Sequence, residues 1–348
     1  MLLNIGKKTI GDGNPVYFIA EIGVNHCGDI NLAKKMVLAA KRAGADAVKF
    51  QTFQAESYVT PNTPKVKYQK KTTTSKETHY EMIKSLELSN EKHEILFDFC
   101  KKNKIKFLST PYDRDSAIFL NKIGCDTFKT ASADIVDLYL HTYLAKTGKT
   151  VIISTGMANI DEIKQCVEIY RKNSNKNFIL LHCTSNYPCS DQSLNMSVLP
   201  KLASKFNCLV GYSDHSIGIE ASVISVALGG VLIEKHFTTD RKLPGPDQKT
   251  SVLPKEFSEM IKAVKKTKLI LGNDIKKCQP EEINMARVSR KSLTLKNALN
   301  KGDILKKKNI ILKRPGIGLF PKDLKRFLGL KAVKNLEKNY QIKFKDFK

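Results

Sequence analysis

Short runs of apolar and β-branched residues recur along the chain, each followed by a stretch with helical spacing. The runs fall at 17–22, 47–50, 106–109, 127–130, 151–154, 178–182, 209–212 and 231–236. Between them, 31–43 sets Leu32, Met36, Val37 and Ala40 on one helical face, and 91–102, 116–123, 160–171 and 219–227 repeat that period. A last helical stretch, 256–271, follows the eighth run. Strands separated by helices need right-handed crossovers and a parallel sheet. Eight such units over about 270 residues predict an α/β fold of the closed (β/α)8 kind, a TIM barrel. A doubly wound open sheet is the alternative. It calls for a Gly-rich turn after the first strand, and Gly23-Val-Asn-His-Cys-Gly28 does not supply the G-x-G-x-x-G spacing.

The rhythm breaks twice. Residues 56–90, with Pro61, Pro64 and the polar run 65–76, predict a long loop after the second strand. Such a loop lies on the C-terminal face, where a barrel keeps its chemistry. After Leu271 the alternation stops. The expected division is a barrel over 1–272, a linker over 273–289 and a small, mostly β module over 290–348 with Gly302, Pro315, Gly316, Gly318 and Gly329. A module of that size buries little core, so it is expected to dock on a larger surface.

Composition narrows the function classes. The 348 residues carry 59 Lys+Arg against 34 Asp+Glu, a net charge of +25. Only 8 of the basic residues are arginine, the residue suited to bidentate reading of phosphate and guanine. The lysines are spread along the chain, which reads as exposed solvated faces and not as a nucleic-acid surface. Residues 271–348 are the most basic part, with 21 Lys+Arg against 7 Asp+Glu. No run reaches the ~18–20 apolar residues of a membrane span, and the first residues lack a signal-peptide pattern. A soluble, cytoplasmic protein is therefore expected, with its eight cysteines, none in a C-x-x-C pair, as small buried thiols.

The strand ends carry the candidate chemistry. Strand one ends at Glu21, strand two at Lys49 and Gln51, strand three at Ser109-Thr110, strand four at Lys129 and Ser132, and strand five at Ser154-Thr155. Strand six ends in His182-Cys-Thr-Ser185, strand seven in Ser213-Asp-His215 and strand eight in Glu234-Lys-His236. Hydrophilic loops explain any one of these. They do not explain apolar runs that deliver lysine, imidazole and carboxylate groups to one rim. His215 and His236 lie one βα unit apart, on adjacent strand ends, and with oxygen ligands they suit a divalent transition metal with open positions. Lys49 with Thr110, Ser132, Ser154 and Ser213 makes a cationic, hydroxyl-rich patch of the kind a phosphate needs.

At these residues the chain resembles a known family, the sialic acid synthases. The matching motifs are Ala20-Glu-Ile-Gly-Val-Asn-His26, Val48-Lys-Phe-Gln-Thr52, Leu108-Ser-Thr-Pro111, Ser154-Thr-Gly-Met157 and Leu181-His-Cys-Thr184 with Asn186-Tyr-Pro188. Tyr212-Ser-Asp-His-Ser216, Ile233-Glu-Lys-His-Phe-Thr238, Pro244-Gly-Pro-Asp247 and Lys313-Arg-Pro-Gly316 follow in order. The resemblance implies a barrel followed by a small antifreeze-like (SAF) domain that covers the site of the other subunit in a domain-swapped homodimer. It implies a transferase that condenses phosphoenolpyruvate with N-acetylmannosamine or a related N-acyl hexosamine and releases phosphate. The product is a nonulosonic acid: N-acetylneuraminate or, alternatively, N,N'-diacetyllegionaminate or pseudaminate. It also implies Mn²⁺, or another ion such as Mg²⁺ or Co²⁺, held by His215 and His236 and acting as a Lewis acid on the sugar aldehyde.

Carried over position by position, the resemblance makes Glu21 and Lys49 the catalytic pair, with Glu21 handling a proton beside the metal. Lys49, Thr110, Ser132, Ser154, Tyr187, Ser213 and either Ser185 or Asn186 hold phosphoenolpyruvate. Gln51, Asp134, Tyr187, Asp247 and Arg314 meet the sugar, Arg314 arriving from the partner subunit. Ala133-Asp134 stands where many members have Gly-Glu, and the shorter Asp implies a weaker or water-mediated contact. Two other readings compete. One is a related phosphoenolpyruvate-dependent synthase that takes a phosphosugar, which would need more clustered Arg or Lys. The other is a non-catalytic carbohydrate or anion binder, against which the retention of Glu21, Lys49, His215 and His236 argues.

Overall fold

The computed structural model describes residues 1–74 and 76–348; Ser75, inside the stretch that interrupts the alternation, lies outside the described residues. Two compact units divide the chain, Met1–Gly272 and Asn273–Lys348. The first opens with an antiparallel hairpin, β1 (Leu2–Ile5) and β2 (Lys8–Gly11). Eight parallel strands follow: β3 (Tyr17–Gly23), β4 (Ala47–Thr52), β5 (Lys106–Pro111), β6 (Thr127–Thr130), β7 (Thr150–Ser154), β8 (Phe178–Cys183), β9 (Leu209–Asp214) and β10 (Leu232–His236). The ladder runs β5-β4-β3-β10-β9-β8-β7-β6, and its two ends, β5 and β6, pack side by side. The predicted barrel is present and nearly closed. Register sets His236 opposite Glu21 and Glu21 opposite Lys49, so the first, second and last strands end at one level.

The helices are α1 (Ile30–Ala43), α2 (Ala55–Tyr58), α3 (Lys67–Thr72), α4 (His79–Ser85), α5 (Asn90–Lys102), α6 (Arg114–Lys122), α7 (Leu138–Lys146), α8 (Ile160–Lys172), α9 (Val198–Phe206), α10 (Glu220–Ala227) and α11 (Pro254–Leu271). Side-chain caps start several of them, at Asp29, Thr78, Ser89, Asp113, Asp137 and Asn159. In α8, Asn159 accepts from the backbone N–H groups of Asp161 and Glu162 while the Glu162 side chain returns to the Asn159 N–H. The helices' apolar faces and the outward residues of the strands, among them Phe18, Phe50, Phe128, Leu180 and Tyr212, form the larger core. Ile5 and Ile10 of the hairpin join Tyr17, Ile19, Leu108, Ile152, Leu181 and Leu232 in a second core, so the hairpin plugs the barrel interior. Each buried isoleucine is worth roughly 1.5–3 kcal/mol, an upper estimate.

Three features went unread in the sequence. The hairpin is too short for a periodic signal. Helix α7 buries Leu140, His141, Leu144 and Ala145, a stripe in which a histidine blurs the apolar pattern. Helix α9 carries Pro200, which reads as a breaker but falls in the first turn, where no intrahelical donor is lost. The interruption after the second strand also proves more ordered than a polar loop. It carries α2, α3 and α4 and a core of its own, in which Phe53, Ala55, Met82, Ile83 and Leu86 pack with Val24.

The second unit contains α12 (Ile283–Ser289), β11 (Ser292–Leu295), β12 (Ile310–Lys313) and α13 (Leu324–Phe327). Its antiparallel β11–β12 pair and isolated bridges surround a core of Leu293, Leu295, Leu305, Phe327, Ile342 and Phe347. Residues 283–289, assigned in the sequence to a linker, are helical.

Candidate active site

Strand alternation decides which polar groups face the barrel axis. In β9 and the residue after it, Ser213 and His215 point inward while Tyr212 and Asp214 point out; in β10, Glu234 and His236 point in and Lys235 points out. The outward Asp214 and Lys235 pair with each other at 2.7 Å, on adjacent strands in register. Asp214 also accepts from the Ser216 N–H and hydroxyl and from Ser222. These bonds hold the segment that follows His215. His182 likewise turns away from the cavity and meets the Leu194 carbonyl at 2.7 Å.

The inward groups line a cavity of about 380 Å³ at the C-terminal ends of the strands. Its floor is charged and buried. Lys49 Nζ lies 2.7 Å from Glu21 and donates to Thr110 Oγ1 at 3.0 Å. Lys129 Nζ donates to Ser154 Oγ at 2.6 Å and lies 3.6 Å from Glu234. Ser213 donates to Glu234 Oε1 at 3.1 Å, and Gln51 donates to Glu21 Oε1 at 3.3 Å. Burial pushes the Glu21 carboxyl up to about 7; Lys49 opposes the rise and Glu234 adds to it. Burial also lowers Lys129, against the pull of Glu234, whereas for Lys49 the pull of Glu21 and Glu234 outweighs burial and raises it. Two ammonium groups are thus held dry beside hydroxyls, which is the chemistry of a site for a small dianion.

Above the floor, Gly156 completes a cradle. Its N–H donates to Ser132 Oγ at 3.1 Å, and a Cβ there would fall 2.3 Å from Ser185 Oγ and 2.7 Å from Ser132 Oγ. Only glycine leaves those hydroxyls free. Cys183 Sγ, 3.9 Å from Ser185 Oγ and 3.6 Å from His215 Nδ1, links this cradle to the two imidazoles, whose ring centres are 5.5 Å apart. His215 Nδ1 meets the Thr184 carbonyl at 3.0 Å, so that nitrogen carries a proton and Nε2 is the one turned toward Ser213, 3.4 Å from its Oγ; against the effect of burial, Cys183 and the Thr184 carbonyl raise the imidazole. His236 is held neutral by burial and by neighbouring positive charge, with Nδ1 buried, unpartnered and 4.0 Å from Asp247. Among the described residues no three His, Cys, Asp or Glu side chains converge as a preformed metal cage. The donors present are two imidazoles at the edge of an open cavity, beside the unpartnered Glu234 Oε2. That set fits a divalent ion whose remaining positions are filled by substrate or water.

The structure brings Glu21, Lys49, Gln51, Thr110, Ser132, Ser154, Ser185, Tyr187, Ser213, His215, His236 and Asp247 to this one cavity. It does not bring Asn186, which is exposed and donates to the Pro188 carbonyl, so of the two phosphate candidates Ser185 is the one at the cavity. Asp134 does not line it either; its Oδ2 is buried without a partner, and burial raises its carboxyl to about 7. Arg314 belongs to the second unit, exposed just after β12. Sequence reasoning named Lys129 and Glu234 at strand ends but gave them no role. The two-residue spacing of Lys49 with Gln51 and of Glu234 with His236 was the signal that Glu234 faces inward. Cys183, whose thiol comes down to about 7 because His215 and Lys129 outweigh the effect of burial, also lines the cavity.

Comparison with known proteins identifies the family and the fold. The model of the NeuB family matches residues 36–276, and that of the SAF domain matches residues 290–348. The chain is 41% identical over 339 residues to an N,N'-diacetyllegionaminic acid synthase of Campylobacter jejuni, covering 97% of this chain and 99% of that one. A protein of the same name from Legionella pneumophila is 40% identical over 335 residues, covering 95% and 94%. A solved structure described as N-acetylneuraminic acid (sialic acid) synthetase from Leptospira borgpetersenii, in complex with citrate, superposes with a TM-score of 0.75 at 36% identity, over 82% of this chain and 95% of that one. Among the described residues no helix is long and apolar enough to cross a membrane.

Proposed function

We infer the chemistry from one premise: the chain belongs to the NeuB family, the sialic, legionaminic and pseudaminic acid synthases. It condenses phosphoenolpyruvate with an N-acyl hexosamine such as N-acetylmannosamine, releasing phosphate and a nonulosonic acid. One observation carries this reading above all others. The buried lysines Lys49 and Lys129, with their hydroxyl partners, share a single cavity with two imidazoles.

In this reading Lys49, Lys129, Thr110, Ser132, Ser154, Ser185 and Ser213 hold the phosphate and carboxylate of phosphoenolpyruvate, most of the cost of drying the two ammonium groups being met at folding. His215 and His236 hold a divalent ion such as Mn²⁺, which supplies Lewis acidity toward the sugar aldehyde. C3 of phosphoenolpyruvate forms the new bond to that aldehyde carbon, water adds at C2, and the C2–O bond to phosphate breaks. Glu21, beside Lys49 and with a carboxyl near neutrality, is suited to take and return the proton of the added water. Gln51, Tyr187 and Asp247 orient the sugar. Incubating the full chain with phosphoenolpyruvate, Mn²⁺ and a panel of N-acyl hexosamines should release phosphate and give one product mass. No phosphate from any sugar would overturn the reading.

The SAF unit then serves the cavity of a second copy, with Arg314 meeting the sugar there. Two features support this: the unit's basic charge, apt for covering an anionic substrate, and the exposure of Ile283, Met285 and Val288 on α12. Mixed dimers of Arg314→Ala and Glu21→Ala subunits should recover activity that neither homodimer has. Mixed dimers that stay inactive would place Arg314 at its own chain's site.

A further inference from the structure

Resting on that reading, we propose that Tyr68, from the inserted segment of the same chain, is a specificity-determining residue for the sugar. Helix α3 brings it over the cavity, where its ring lies 5.1 Å from that of Tyr187. Tyr187 in turn lies 4.2 Å from His215 and meets His236 edge-on at 5.4 Å. The Tyr68 hydroxyl donates to Asp247 Oδ1 at 3.4 Å, while Asp247 Oδ2 faces His236. One side chain thus touches both the aromatic ring and the carboxylate that border the imidazoles.

The surroundings decide which substrate meets it. The charged floor is given over to a compact anion. The wall contributed by the insertion carries no lysine or carboxylate and is largely aromatic and aliphatic, with Tyr58, Val66, Ile83 and Leu86 beside Tyr68, and with Thr63, Gln69 and His79 as its polar members. A neutral sugar presents both C–H faces and hydroxyl or amide groups, and a tyrosine answers both, with an apolar ring and a polar tip. Tyr68 is also held in place. Lys65 Nζ, itself largely buried, bonds Thr73 Oγ1, the Thr74 carbonyl and Glu77, and the Gln69 side chain accepts from the Val66 N–H at the start of α3. A ring fixed by such contacts selects among sugars by fit, because little of its freedom remains to be lost on binding.

The test is steady-state kinetics of the full chain with Mn²⁺, phosphoenolpyruvate and the sugar panel, for wild type, Tyr68→Phe and Tyr68→Ala. Tyr68→Phe keeps the ring and its packing and should raise the sugar KM about 3–10-fold, the net worth of one hydrogen bond. Tyr68→Ala should raise it further and change the order of preference among the sugars. In both variants the phosphoenolpyruvate KM should stay within about twofold of wild type. An unchanged sugar KM in Tyr68→Phe, or an equal rise in both KM values, overturns the role of Tyr68. A wild type that turns over none of the sugars overturns instead the reading of the whole site.

Discussion

On the floor of the cavity, Glu21, Lys49, Lys129 and Glu234 stand on parallel strands locked in register with their neighbours. On its wall, Tyr58, Tyr68 and Ile83 stand on helices of 4, 6 and 7 residues. The floor groups are charged, dry and paired, whereas the wall groups are apolar or amphipathic and are held by one small core and the Lys65 clamp. Helices this short do not hold themselves together by backbone bonding, so tertiary contacts keep them in place. The contrast suits a division of labour. A rigid, preorganised floor handles a reaction common to the family, and a separately supported wall can vary with the sugar.

Substitution should separate the two regions. The largest loss is expected from His236→Ala or His215→Ala, about a thousandfold or more in kcat/KM, since each removes an ion ligand whose Lewis acidity is worth several kcal/mol. Chelation of the wild type should mimic it and Mn²⁺ should reverse it, with the melting temperature of the variants reporting that the fold survives. Full activity in excess chelator would remove the metal from the floor.

Next in size is Lys49→Met. Loss of a desolvated, charge-assisted contact costs roughly 1.5–3 kcal/mol, so the phosphoenolpyruvate KM should rise ~10–150-fold while the sugar KM holds. A response confined to the sugar KM would show that floor and wall have been assigned the wrong way round.

Gly156→Ala tests the cradle without touching a charge. Its Cβ would crowd Ser185 Oγ and Ser132 Oγ at 2.3 and 2.7 Å, so the hydroxyls must turn away. Overpacking of this sort costs about 1–3 kcal/mol, and the expected result is a rise of about tenfold in the phosphoenolpyruvate KM. Titration with phosphoenolpyruvate at saturating sugar reads it directly.

The smallest effect is expected on the wall. Lys65→Met removes the clamp from Thr73, Thr74 and Glu77 but leaves the barrel alone. The sugar KM should rise about 2–5-fold, limited proteolysis should cut within residues 61–78, and the melting temperature should move little. A fall in melting temperature as large as that of a barrel-core substitution would show that the insertion and the barrel unfold as one.

The barrel itself was legible because its signals are local and repeated. Eight apolar runs, each trailed by a helical period, leave few topologies open, and polar residues at every strand end mark the C-terminal face. The two histidines could be read from spacing, because one βα unit separates adjacent strand ends, and Lys49 from its place at the end of an apolar run. What only the tertiary structure decided is which of those polar residues face inward together. Lys235 and His236 are neighbours in the chain, yet one is paired outside the barrel with Asp214 and the other faces the cavity. Ser185 and Asn186 part in the same way. The choice between Lys129 as a solvated end and as half of a buried cation pair depends on Glu234, which lies 105 residues away in the chain and 3.6 Å away in space. The wall was still less legible. Tyr68 has no period and no motif around it, and its meaning comes from Tyr187 and Asp247, which reach it from β8 and β10 loops far along the chain. Local pattern follows from neighbours in sequence, whereas burial and charge pairing follow from neighbours in space, and those were supplied by the closure of the sheet.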